Sequence, residues 1–226
     1  SNFATSKTFI NSVVSQFSVG AGSRNTRVGV VQYSSTNARV LSLAQGISAS
    51  AVTSAVNNMR YQSGGSTQTA SGISYVQNSM FNSARPSAAK ILVVLTDGVS
   101  SSSPNAAAAS ARASGITIYA VGVGSGVSTS QLTAIAGSSS RVTTVSSFSG
   151  LTNIVSSIAT TVCSAANAPV TRAPTRPPTR SPTRLPTRVQ TRAPVARVYP
   201  CSSGTYTLIP ASQCPPSSVS ATMVPC

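Results

Sequence analysis

The 226-residue chain has no histidine, no tryptophan and a single acidic residue, Asp97. General acid–base catalysis near neutral pH draws mainly on His, Glu and Asp, so these absences limit the chemistry directly. A Ser-His-Asp triad, a paired-carboxylate glycosidase site, a His/Cys zinc site and a two-metal carboxylate site each require residues that are not in the chain. Lys7, Lys90, the tyrosines and the cysteines have nothing beside them in sequence to activate them. The expectation is a binding or structural protein, not an enzyme. Long apolar runs are lacking too: no stretch reaches the roughly 18 residues of a spanning helix, so no membrane span is expected. No signal peptide is recognisable, and the sequence reads as a mature or truncated chain.

Positive charge is what the chain has in excess. Sixteen Lys and Arg against one acid give a formal charge of +15 and a pI near 11.3, a balance that favours polyanionic partners. Nine of these bases, with Asp97, fall in residues 1–163, and the other seven, all Arg, in residues 164–226. Aromatic side chains are few, and no basic cluster is interleaved with them as in single-strand binders. An acidic polysaccharide or glycan is therefore the expected polyanion, and nucleic acid is not.

Four cysteines, Cys163, Cys201, Cys214 and Cys226, contain no CxxC pair, and three of them sit in a short Pro/Ser/Thr-rich tail. They read as a disulfide framework and place the protein outside the cytosol, secreted or at the cell surface. Sequence leaves all three connectivities open.

Residues 1–163 alternate between helical and strand patterns, which predicts an α/β fold with a mainly parallel sheet. Phe9, Ile10, Val13, Val14 and Phe17 recur at helical spacing. Arg27 to Tyr33, Ala38 to Leu43, Lys90 to Thr96, Ile116 to Val123 and Arg141 to Val145 read as strands. Helices are expected over 48–60, 69–83, from Pro104 to Gly115, over 130–136 and over 148–162.

Residues 164–197 are a linker built on a tetrad repeat that runs from Thr171 to Pro194 as TRAP, TRPP, TRSP, TRLP, TRVQ and TRAP. Proline at this density excludes helix and sheet and predicts a polyproline-II-like arm. At about 3.1 Å per residue, the repeat would extend roughly 75 Å. Arg172, Arg176, Arg180, Arg184, Arg188 and Arg192 wind around such an arm and are the candidate contacts for an acidic polysaccharide. Thr171, Thr175, Thr179, Thr183, Thr187 and Thr191 are candidate O-glycosylation positions. Residues 198–226 form a small tail that would need disulfides for stability.

Two segments carry a family resemblance: Gly64-Gly-Ser-Thr-Gln-Thr-Ala-Ser-Gly-Ile73 and Val93-Val-Leu-Thr-Asp-Gly98. With Asn2-Phe3, the strand through Tyr33, the strand at Ile118 to Val123 and the last helix ending at Cys163, they resemble a von Willebrand factor type A domain of the extracellular-matrix kind. The resemblance implies a doubly wound, Rossmann-like sheet with a metal-ion-dependent adhesion site at its carboxyl edge. In the family, that metal is held by an Asp-x-Ser-x-Ser loop after the first strand, a Thr of the GGxTxT segment and the Asp of the TDG segment. Thr67 and Asp97 match the second and third elements. The first loop would lie before Asn2, so the site reads as incomplete, with magnesium or calcium expected only if that loop is supplied. Structural alternatives for the two residues are a helix N-cap for Thr67 and a turn acceptor at Gly98 for Asp97.

The resemblance also implies a central strand between the Arg27 and Lys90 strands. Either an upstream strand fills that place, or an extended segment of another subunit inserts there. Thr205 to Ile209 and Ala221 to Val224 are the candidate donors. The expected function is an extracellular structural protein assembling into fibres or matrix, with adhesion to acidic ligands as the alternative.

Overall fold

Serine caps three of the six α-helices described, in a chain that has almost no acids for the purpose. The computed structural model describes residues 1–62, 65–167 and, as backbone, 218–225. Helix α1 (Asn2–Val14) starts at Ser1, whose hydroxyl accepts from the Ala4 N–H at 3.4 Å. Ser48 caps α2 (Ala49–Asn57) through the Ala51 N–H at 3.2 Å, and Ser128 caps α5 (Thr129–Ala136) through the Gln131 N–H at 3.3 Å. A side-chain oxygen at this position satisfies one of the orphan donors of the first turn.

The apolar β-branched runs form strands β1 (Arg27–Tyr33), β3 (Ala89–Thr96) and β4 (Ile116–Val123), each almost wholly buried. Burial on both faces is the rule for strands of a parallel sheet and explains why their sequences do not alternate. Strand β2 (Asn37–Leu41) pairs antiparallel with β1, and β5 (Val142–Val145) pairs parallel with β4. The six-stranded order is β2-β1-β6-β3-β4-β5.

Helix α1, α2 and α6 (Val155–Asn167) cover one face, where Phe9, Ile10, Val52, Val56, Ile158 and Val162 meet Val28, Val30, Ile91 and Val93. Helices α3 (Thr69–Tyr75), α4 (Asn105–Ala113) and α5 cover the other, where Ile73, Ala108, Ala111 and Leu132 meet Val31, Leu92 and Val94. The helix expected over 69–83 is α3 followed by a π-turn (Val76–Met80) and a 3-10 turn (Phe81–Ser83). The closing helix expected from Phe148 opens as a 3-10 segment (Phe148–Ile154) before α6.

The central place between β1 and β3 is filled by β6 (Ser218–Pro225), which belongs to the segment read from sequence as the tail. It runs parallel to both neighbours, Arg27 to Tyr33 lying opposite Val219 to Pro225, and Ala89 to Val94 opposite Ser218 to Met223. Ala221 to Val224, one of the two candidate donor segments, lies within β6; Thr205 to Ile209, the other, lies outside the described residues. In this structure the strand comes from the chain's own 218–225 segment. Pairing with β3 stops at Met223, just before Pro225, which has no N–H to extend a ladder. Beyond it the Leu95 carbonyl accepts from the buried Tyr33 hydroxyl at 3.0 Å.

Candidate functional site

The carboxyl ends of the parallel strands bring three loops together, the region where open α/β sheets bind ligands. The turn after β3 holds itself by the Thr96 hydroxyl, which donates to the Gly98 carbonyl at 3.0 Å and accepts from the Gly98 N–H at 3.4 Å. The Gly98 N–H is thereby taken by Thr96, which corrects the expectation that Asp97 accepts from that turn. Asp97 itself is exposed, and among the described residues its carboxylate has no hydrogen-bond or ion-pair partner.

Thr67 is tied to the same turn through its backbone. Its N–H donates to Ser101 Oγ at 3.0 Å, and its carbonyl accepts from the Ser101 N–H at 2.9 Å and from Ser100 Oγ at 3.0 Å. The Thr69 N–H reaches Ser100 Oγ at 3.3 Å, the Ser100 N–H reaches Gln131 Oε1 at 2.8 Å, and the Gln68 N–H reaches the Ser34 carbonyl at 3.0 Å. Thr67 is not the cap of α3: that position is Gln68, which makes no side-chain cap bond. The free ends of β1, β3 and α3 are thus stapled largely by serine hydroxyls, a pattern that neither segment announces alone.

A cleft of about 330 Å³ opens beside Asp97, lined also by Asn2, Val123, Gly124, Ser125, Gly126, Ser146, Ser147 and Phe148. Gly126 is required there, since a Cβ at that position would stand 2.8 Å from the Asp97 carbonyl oxygen. Thr67 is not among the lining residues. The structure therefore brings the loops of Thr67 and Asp97 together without placing both side chains on one cleft. Ser34, at the end of β1, has a buried hydroxyl with no hydrogen-bond partner among the described residues.

No three His, Cys, Asp or Glu side chains come together among the described residues. One carboxylate with neutral hydroxyls and carbonyls does not fit a divalent cation, which calls for several oxygen ligands with enough charge among them. Cys163, on α6, is disulfide-bonded. Cys201, Cys214, Cys226 and the Arg and Thr positions of the tetrad repeat lie outside the described residues. No helix among the described residues is long and apolar enough to cross a membrane.

The carboxyl edge of this doubly wound α/β sheet gathers the loop of Thr67 and the Thr96-Asp97-Gly98 turn. The chain belongs to the von Willebrand factor type A domain family, which it matches over residues 1–157. The human collagen alpha-1(XXI) chain is 34% identical over 175 residues, covering 76% of this chain and 18% of the collagen. Mouse matrilin-1 is 37% identical over 129 residues, 56% of this chain and 25% of the matrilin. The chain thus spans a quarter or less of these relatives' length. Among solved structures, proximal thread matrix protein 1 from the mussel byssus, with a zinc-occupied metal-ion-dependent adhesion site, superposes with a TM-score of 0.65 at 29% identity. The match covers 68% of this chain and 41% of that one. The protein is extracellular, and the relatives it matches are a collagen chain, a matrilin and a thread matrix protein.

Proposed function

We propose that the protein is a non-enzymatic structural component that assembles into fibres or matrix, its copies joined by exchange of the 218–225 strand. The observation that supports this is the central place of β6. The strand lies between β1 and β3, yet in sequence 50 residues separate it from Asn167, the last residue of α6. A strand inserted in this manner pairs identically whether it comes from its own chain or from a neighbour. Exchange along a row of copies links them head to tail. The basic arm spans the distance between copies, and the tail cysteines lock the product covalently. Arg172, Arg176, Arg180, Arg184, Arg188 and Arg192 add contacts to acidic glycans, and the threonines of the repeat carry O-glycans.

Sedimentation of the full chain under non-reducing conditions in 0.5 M salt is the test. Strand-exchanged assemblies are held by backbone pairing and stay large in salt, because screening reaches only charge contacts. Monomers at every concentration, with ligand binding that falls steeply as salt rises, would favour the adhesive role instead.

A further inference from the structure

The end of the sheet opposite Asp97 collects positive charge. The Arg85 guanidinium donates to the Gly22 and Asn25 carbonyls, each at 2.6 Å, and Arg27 donates to the Ala21 carbonyl at 3.2 Å. Both side chains are therefore fixed under the loop that carries exposed Arg24 between Gly22 and Asn25. Lys90, the second residue of β3, is in register with Arg27, Val219 of β6 lying between them. Two strand spacings separate the backbones of Arg27 and Lys90 by about 10 Å, and in-register residues of parallel strands share a face. Lys90 also lines a groove of about 520 Å³ with Gln77, Asn78, Asn82 and Ser114, whose amides and hydroxyl provide polar contacts. Asp97, the sole acid of the chain, lies past the far end of β3, about 23 Å along the strand and well beyond the screening length at physiological salt. Burial and the charge of Arg27 both hold the Arg85 guanidinium below the usual arginine range.

We infer that Arg24, Arg27, Arg85 and Lys90 form a binding surface for a sulfated polysaccharide. The chemistry favours this polyanion over nucleic acid. Among the described residues, the large apolar side chains exposed are Ile47, Tyr61 and Val99, none of them in this cluster, and Phe81 in the groove is buried. Base stacking therefore has no platform. Guanidinium and ammonium groups arrayed at this spacing pair with repeated sulfate groups without one. The surface is independent of strand exchange and of the arm.

The test measures binding of the full chain to a size-defined heparin fragment by calorimetry across a salt series. The Arg24→Ala/Lys90→Ala variant removes the two cluster cations that hold no loop carbonyl. Arg39→Ala/Arg60→Ala removes the same net charge from exposed positions elsewhere. The cluster pair is expected to weaken binding at least tenfold and to lower the salt slope by about one unit per cation removed. The matched pair is expected to change affinity less than threefold. Equal losses in the two variants would overturn the inference and leave only net charge. So would single-stranded DNA or phosphatidylserine vesicles competing as well as heparin and losing affinity in the same variant. Arg24→Ala alone, on an exposed loop, repeats the comparison should the double variant melt early, and wild-type affinity there would count against the site.

Discussion

Ending the chain after Ser217 deletes β6 and leaves the centre of the sheet unpaired. Parallel pairing gives about one backbone hydrogen bond per residue on each side, so the registers with β1 and β3 represent about a dozen bonds. At about 1 kcal/mol net each, their loss amounts to on the order of 10 kcal/mol, against the 5–15 kcal/mol that holds a typical domain together. The backbone left bare belongs to Val28, Val30, Val31, Ile91, Leu92, Val93 and Val94, none more than 3% exposed, so water could not easily replace those partners. The truncated chain should therefore be unfolded or molten in dilute buffer. Urea titration followed by tyrosine fluorescence, convenient in a protein without tryptophan, measures this. Adding a synthetic peptide of residues 218–226 should restore a cooperative transition whose midpoint rises with peptide concentration. A truncated chain with an unchanged urea midpoint and slope would refute the reasoning, since the slot would then not need this strand.

Other outcomes follow from particular contacts. Tyr33→Phe leaves the buried Leu95 carbonyl without its 3.0 Å donor and should cost about 1–3 kcal/mol in urea unfolding. Tyr119 is raised above the usual tyrosine range by burial, partly offset by Arg141. A folded value above the unfolded one means that the contribution is complete below the unfolded value and is lost as pH rises through the folded one. Stability should therefore decline above about pH 10, and Tyr119→Phe should flatten that limb in urea titrations run from pH 8 upward. Millimolar magnesium or calcium should leave the melting temperature unchanged within about 1 °C; a rise of several degrees would reveal a better ligand set than one carboxylate provides.

The strands from Arg27, Lys90 and Ile116 were legible because burial on both faces demands continuous apolar runs, and Val28 to Tyr33 and Ile91 to Thr96 are buried as that reading required. The need for a central strand was legible through the family resemblance, which places one between those two runs. Its occupant was harder to read. Ser218-Val-Ser-Ala-Thr-Met-Val-Pro225 mixes hydroxyls with apolar residues, so periodicity gives it no more weight than Gly204 to Ile209. At the candidate site, Asp97 and Thr67 stood out by motif, but the bonds that fix their loops did not. Ser100, Ser101 and Gln131 act through backbone groups 31 to 34 residues away, and short polar side chains carry no spacing signal for such pairings. The π-turn at Val76 was hidden because its apolar residues keep helical spacing. The basic edge of the sheet escaped notice because Arg24, Arg27, Arg85 and Lys90 are scattered in sequence and meet only through the loop and the β6 register.

Whether the strand crosses between copies is best measured by tracing its origin. Val30 and Thr222 are register partners on β1 and β6, and adjacent strands place Cα atoms about 4.8 Å apart, within disulfide range. Full chains carrying Val30→Cys and Thr222→Cys, made unlabelled and in uniformly heavy-isotope form, are mixed in equal amounts, refolded and oxidised. Mass spectrometry of the linked peptides then reports their parentage. Strand exchange predicts that about half of the linked β1–β6 pairs join a light to a heavy chain, as statistical mixing requires. Linked pairs of uniform label alone would show that each chain fills its own slot and would contradict assembly by strand exchange.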